Sequence, residues 1–161
     1  MATVIGPGDG KVGFLGSIGA RFMIDGEATD GGFSLLEHPM SPRALGAPLH
    51  RHTREDEYSF VLEGHMGALL GDEVIYAEAG ELAFKPRDQW HTFWNAGDEP
   101  CRILEIISPA GFEHFFREWD ARTKDGTLDP EELGVRYGIE FDMHSVPRIC
   151  AEHGLLHPLL G

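Results

Sequence analysis

Chemistry is most legible in the stretch Leu49-His50-Arg51-His52-Thr53-Arg54-Glu55-Asp56-Glu57. On a β-strand, residues two apart point to the same side, so His50 and His52 aim their imidazoles together while Arg51 points away. Such a pair can chelate a metal. Glu57 opens the next run of strand character and offers an anionic oxygen. His91, just beyond the turn Pro86-Arg87-Asp88, offers a third ring nitrogen. Three neutral imidazoles and one carboxylate suit one divalent transition metal per chain, Fe, Mn, Ni, Cu or Zn.

The elements that must position these groups are short and separated by turns. Of 161 residues, 21 are glycine, and most fall before position 112 at the spacing of short strands joined by turns. The pattern predicts ten strands: Lys11 to Leu15, Arg21 to Ile24, Phe33 to Glu37, Leu49 to His52, Glu57 to Leu62, His65 to Leu70, Glu73 to Ala77, Leu82 to Lys85, His91 to Asn95 and Cys101 to Ile107. Gly71-Asp72 reads as a two-residue hairpin loop. Ala79-Gly80, Pro86-Arg87-Asp88 and Gly97-Asp98-Glu99-Pro100 read as turns. Consecutive antiparallel pairs must close or stack to hide their edges, which predicts an all-β antiparallel barrel or sandwich. After Ile107 the period changes. Phe112, Phe115, Phe116 and Trp119 form one helical stripe behind Ser108-Pro109, read as packing against the barrel rather than as a platform for a ligand. A second helix has Asp129 as N-cap, Pro130 in the first turn, Glu132 closing a capping box and Gly138 as stop. A third runs from Ser145 to Gly154. The chain reads as one domain over 1–161, a barrel over about 11–107 with a helical extension over about 108–161.

The run His50-x-His52-x4-Glu57-x6-Gly64, followed after fifteen residues by Gly80-x5-Pro86-x4-His91-x3-Asn95, resembles the two sequence motifs of the cupin superfamily. The likeness covers residues 46 to 107 closely. The segment Ser108 to Phe116 resembles the tail of small bacterial single-domain cupins described as quercetin-dioxygenase-like. The resemblance implies a cupin-type β-barrel, or jelly roll, with His50, His52, Glu57 and His91 holding a metal inside its mouth. Two positions depart from the motifs. Ala44 stands where a glycine usually lies, six residues before the first histidine, and Asp88 stands for the glycine two after the proline. Aspartate tolerates the left-handed backbone better than most residues, so that turn survives.

Alternation along the strands predicts the lining of the pocket. Ser59 and Val61 share the face of Glu57, and Phe93 and Asn95 share that of His91. This lining is mostly apolar and has no inward cluster of Arg or Lys, which suits a small organic ligand better than a phosphorylated sugar. Four protein ligands leave two positions of an octahedron, enough for substrate and dioxygen together. The reading is therefore a dioxygenase acting on an aromatic or enolisable small molecule, with Glu57 as both ligand and catalytic base. A metal-assisted isomerase or decarboxylase and a non-catalytic binding module are the alternatives.

Thirteen Lys plus Arg against 27 Asp plus Glu give a net charge of −14, which argues against nucleic acid and anionic membranes as partners. No run approaches the roughly 18 apolar residues of a membrane span. Two cysteines, Cys101 and Cys150, fit a reducing cytoplasm. The unpaired edges of a short-stranded barrel predict a homodimer. Cys150-x2-His153-x3-His157 has half the spacing of a zinc finger but lacks a second cysteine pair, and Gly6-Pro7-Gly8-Asp9-Gly10 reads as a plain turn. His38, His65, His114 and His144 read as surface or turn residues.

Overall fold

The computed structural model of the chain describes residues 3–156. Its strands are β1 (Lys11–Phe14), β2 (Gly19–Ile24), β3 (Ser34–Met40), β4 (Leu49–His52), β5 (Asp56–Glu63), β6 (His65–Leu70), β7 (Glu73–Glu78), β8 (Leu82–Lys85), β9 (His91–Asn95), β10 (Cys101–Ser108) and β11 (Ile139–Asp142). The helices are α1 (Glu113–Asp125), α2 (Pro130–Tyr137) and α3 (Ser145–His153), with a 3-10 turn over Gly26–Thr29. Two antiparallel sheets face each other as a jelly roll, one ordered β1-β2-β3-β10-β5-β8 and the other β11-β4-β9-β6-β7.

Alternating side chains dictate which face of each strand turns inward. In β10, Cys101, Ile103, Glu105 and Ile107 are buried while the residues between them are half-exposed. In β5 the inward residues are Glu57, Ser59 and Val61. Strand β9 breaks the alternation because all five of its residues are buried. Its inner face carries His91, Phe93 and Asn95. Its outer face is covered by α3, where Trp94 packs in one cluster with Leu45, Val146, Ile149, Cys150 and Leu155. Trp94 lies so close to β6 that a Cβ at Gly67 would collide with its indole, so this contact requires glycine.

All ten expected strands form, within a few residues at their ends. The hairpin at Gly71-Asp72 pairs Leu70 with Glu73. Asp88 takes the left-handed conformation at φ 64°, as its place in the turn requires. The N-terminal turn closes through Gly6 N–H donating to the Asp9 carboxylate at 2.7 Å. The C-terminal third departs from a purely helical reading. β11 joins the edge of the five-stranded sheet beside β4, with Phe141 opposite His50 and Ile139 opposite His52. Four residues are too few to show a period, and only pairing with β4 defines them as a strand.

Helix α1 starts at Glu113, and Phe112, Phe115 and Phe116 bury one side of its first turns among Ala20, Leu36 and Ile107. Glu113 anchors that start. Its carboxylate accepts from the backbone N–H of Gly26 at 3.0 Å and of Gly111 at 2.6 Å. In α2, Asp129 caps as expected, accepting from the N–H groups of Glu131 and Glu132. Glu132 does not close a capping box. Its side chain turns to Arg122 and Arg136, whose charges outcompete a single backbone donor.

Burial disfavours the Glu113 carboxylate, but the N–H donors of Gly26, Glu113 itself and Gly111 outweigh it and hold its pKa below the usual range. Because the folded value is depressed, the stabilisation is fully present above the ordinary carboxylate pKa and is lost as pH falls through the folded value. Glu113→Gln is expected to cost about 1–3 kcal/mol at pH 7. Its urea midpoint should converge on that of the unmutated protein only as pH falls through the depressed pKa of Glu113, where both side chains become neutral.

Candidate metal centre and ligand cavity

Strand register delivers the four candidate ligands to one point. His50 and His91 face each other across β4 and β9, His52 follows two residues along β4, and Glu57 comes from β5 in the opposite sheet. All four are buried, and one ligand atom from each lies within 4.8 Å of the others. Ring centroids are 4.3 Å apart for His50 and His91, and 5.2 Å for His50 and His52.

Carbonyls outside the cluster set the tautomers. Nδ1 of His50 donates to the Pro48 carbonyl at 2.8 Å, and Nδ1 of His91 to that of Gln89 at 3.1 Å. Their Nε2 atoms therefore carry the lone pairs. Nε2 of His91 lies 3.1 Å from Oε2 of Glu57, an approach of two electron-rich atoms that demands a cation between or on them. Nε2 of His52 lies 3.4 Å from the other Glu57 oxygen, Oε1. On its far side, Nδ1 of His52 and Oε2 of Glu55 stand 3.6 Å apart, each without a hydrogen-bond partner among the described residues. Three imidazoles with outward N–H groups steered by a carbonyl or carboxylate, and one carboxylate, fit a divalent transition metal.

Charge is distributed to match. Burial pushes the pKa of His50 well below the usual histidine value, and the neighbouring His91 and His52 add to the effect, so His50 is neutral. Burial opposes the Glu57 carboxylate, yet His52, Lys85 and His91 together hold its pKa well below the usual range. Lys85 is fully buried, with Nζ 3.1 Å from Glu57 Oε2 and 2.8 Å from Glu105 Oε1. These carboxylates keep Lys85 charged against the cost of burial. Glu105 in turn accepts from the Ser59 hydroxyl at 2.7 Å.

A cavity of about 80 Å³ leads to the cluster. His50, His52 and Glu57 line its polar end, and Phe93, Phe112, Phe115, Phe116, Trp119 and Phe141 much of the rest. The stripe on α1 thus both packs the helix and forms the cavity wall. At the mouth, a Cβ on Gly46 would come within 2.5 Å of the Phe93 ring.

The other residues expected in the pocket are placed differently. Phe93 lines the cavity. Ser59 stands behind it, bonded to Glu105. Val61 lies in the apolar cluster with Met66 and Ile103. Asn95 donates to the carbonyls of Met40, Ser41 and Glu99 and accepts from Gly97 N–H, so it fastens loops. Oε2 of Glu57 is paired with the Lys85 ammonium, while Oε1 faces His52.

Three polar residues of the cavity were not anticipated, besides the aromatic wall from α1 and β11. Glu105 and Lys85 occupy inward positions of β10 and β8, a parity the sequence shows once strand ends are known. His38, expected at the surface, is 2% exposed and lines the cavity. Its segment Ser34–Met40 is buried almost throughout, so alternation gives no signal there. His114 and His144 are exposed as expected, and His65 partly so. His153 stacks on Trp94 at 4.3 Å, and His157 lies outside the described residues.

Residues 38–107 match the family model described as a cupin domain. RemF, a polyketide cyclase from Streptomyces resistomycificus, is 30% identical with a TM-score of 0.58, over 67% of this chain and 80% of that one. KdgF from Halomonas sp. has a TM-score of 0.60 at 16% identity, over 71% of this chain and 99% of that one, a likeness of fold. The tetracenomycin polyketide synthase protein TcmJ of Streptomyces glaucescens is 33% identical over 60 residues, 37% of this chain, and the match spans only 40% of TcmJ. These likenesses establish the superfamily and do not single out its quercetin-dioxygenase-like branch. Jelly roll, ligand cluster and sequence agree that the chain carries a cupin domain over residues 38–107 and belongs to the cupin superfamily.

Proposed function

We propose that this protein is a metal-dependent cyclase that folds an enolisable polycarbonyl chain into an aromatic ring. The observation that carries the reading is a cavity walled by aromatic rings and ending on His50, His52 and Glu57 of the four-residue ligand cluster. Such walls hold a flat, conjugated body and keep water from the polar end. Similarity to RemF over 80% of its length, and to part of TcmJ, supports a polyketide-like substrate.

His50, His52, Glu57 and His91 would hold one divalent ion, which supplies Lewis-acid polarisation of a carbonyl. Every other contribution comes from the chain. Phe112 just before α1 and Phe116 on it, with Phe93 on β9, give the substrate flat faces to lie against. Lys85 places a fixed positive charge at the cavity, where negative charge on an enolate oxygen is stabilised. Buried unpaired thiols at Cys101 and Cys150 suit a reducing cytoplasm.

The reading is tested with a poly-β-ketone supplied by a minimal aromatic polyketide synthase, in air and under nitrogen. Identical cyclised product under both, with no oxygen uptake, is expected. Oxygen consumed in step with substrate would replace it with the dioxygenase reading, and ring closure unaffected by adding the protein would leave a binding module. His50→Ala with His52→Ala should lose most of its bound metal by elemental analysis while keeping the far-ultraviolet signature of the sheets.

We also propose a homodimer formed through β8, the edge of the six-stranded sheet. Among the described residues β8 pairs only with β5, and it shows Leu82 and Phe84 half-exposed, with Phe84 stacked on Tyr58 at 4.9 Å. Sedimentation at micromolar concentration should give a dimer for the unmutated protein and a monomer for Leu82→Glu with Phe84→Glu. Monomer in both would remove this arrangement.

A further inference from the structure

We propose that His38 is a catalytic base of this site, taking a proton from the substrate carbon at Nε2. His38 belongs to β3 in the six-stranded sheet, across the barrel from the three histidines of the metal cluster. It is 2% exposed and lines the same cavity. Nδ1 donates to the Gly19 carbonyl at 2.9 Å, which fixes the lone pair on Nε2. Nε2 makes no hydrogen bond to the described residues; the ring's one hydrogen bond there is that of Nδ1. The ring is held edge-on against Phe116 at 5.3 Å and tilted against Phe93 at 6.2 Å, so its aim is set by packing. A buried imidazole with a fixed tautomer and a free lone pair in a ligand cavity is built to accept a hydrogen bond or a proton.

Its surroundings suit the second role. Burial lowers the pKa of His38 and keeps the resting ring neutral, with the Glu105 and Glu57 carboxylates acting in the opposite sense. The same carboxylates partly compensate the charge once a proton arrives. Glu57 is less suited, since it belongs to the candidate ligand cluster and its Oε2 is already paired with the Lys85 ammonium at 3.1 Å.

The inference rests on the enolising chemistry proposed above. A C–H bond next to a carbonyl breaks, its electron pair passes into the enolate, and the proton forms an N–H bond at Nε2. The enolate carbon then adds to a second carbonyl carbon of the same chain, forming a C–C bond and breaking the C=O π bond. The imidazolium returns its proton to the resulting alkoxide. No oxidant or reductant enters.

The test uses zinc-loaded protein in D2O with 2-tetralone as an enolisable ketone probe, following deuterium at the benzylic carbon beside the carbonyl by NMR, above the protein-free rate. His38→Gln is expected to slow exchange about 100-fold, with zinc content and binding of 2-naphthol, a planar enol mimic, unchanged. Exchange within threefold of the unmutated protein would overturn the base role alone. Absence of exchange in the unmutated protein would overturn the enolisation reading and the base role with it. On the unmutated protein, whether or not the variant folds, 2-naphthol should move the 15N resonance of His38 Nε2; an unmoved resonance would show that the ring does not meet the ligand and would refute the proposal.

Discussion

A carboxylate that water barely reaches, Glu57, sits where the two sheets meet, and much of the interior is arranged around its charge. Taking a carboxylate out of water costs several kcal/mol, and fixed opposite charges must offset it. Lys85, His91 and His52 surround it. Lys85 carries the same burden and is held by Glu105 as well, and Glu105 by Ser59. The network follows strand register, with Glu57 beside Lys85 across β5 and β8, and Ser59 beside Glu105 across β5 and β10. A one-residue slip of β8 would turn Lys85 outward and Phe84 inward, leaving two buried carboxylates without their cation. The polar network and the sheet register therefore enforce each other.

The apolar side of the cavity is equally bound up with stability. Phe112, Phe115 and Phe116 close the barrel end above Ala20, Leu36 and Ile107. A side chain of this kind stabilises the fold by roughly 1.5–3 kcal/mol when fully buried. The same rings give the cavity its aromatic character. Glu113 joins the two roles, since the backbone groups it holds at Gly26 and Gly111 fix where α1 begins and hence where its rings point.

On the outer side of the five-stranded sheet, α3 covers Trp94 and makes β9 a strand with no wet face. That burial steadies the strand carrying His91 and Phe93. β11 does the same for β4, shielding the edge beside His50 and His52, with Arg51 paired to Glu140 on the solvent side. The C-terminal third, outside the family match at 38–107, thus makes β4 an interior strand and covers the outer face of β9.

Local rules in the sequence were sufficient for the strands, the turns, the N-cap at Asp129 and the histidine pair, because each depends on a period of two, a turn residue or a capping side chain a few positions away. They also brought His50 and His52 to one face, which needs only the pleat of a single strand. What tertiary structure alone decided is who meets whom across the barrel. That Lys85 neutralises Glu57, that Asn95 fastens loops, that four residues after Gly138 become a strand and that His38 turns from an expected surface residue into part of the cavity wall all depend on pairings between segments tens of residues apart. Those pairings are set by burial and charge compensation summed over the whole interior, and a strand buried on both faces, such as β3, leaves no alternation from which they could be read.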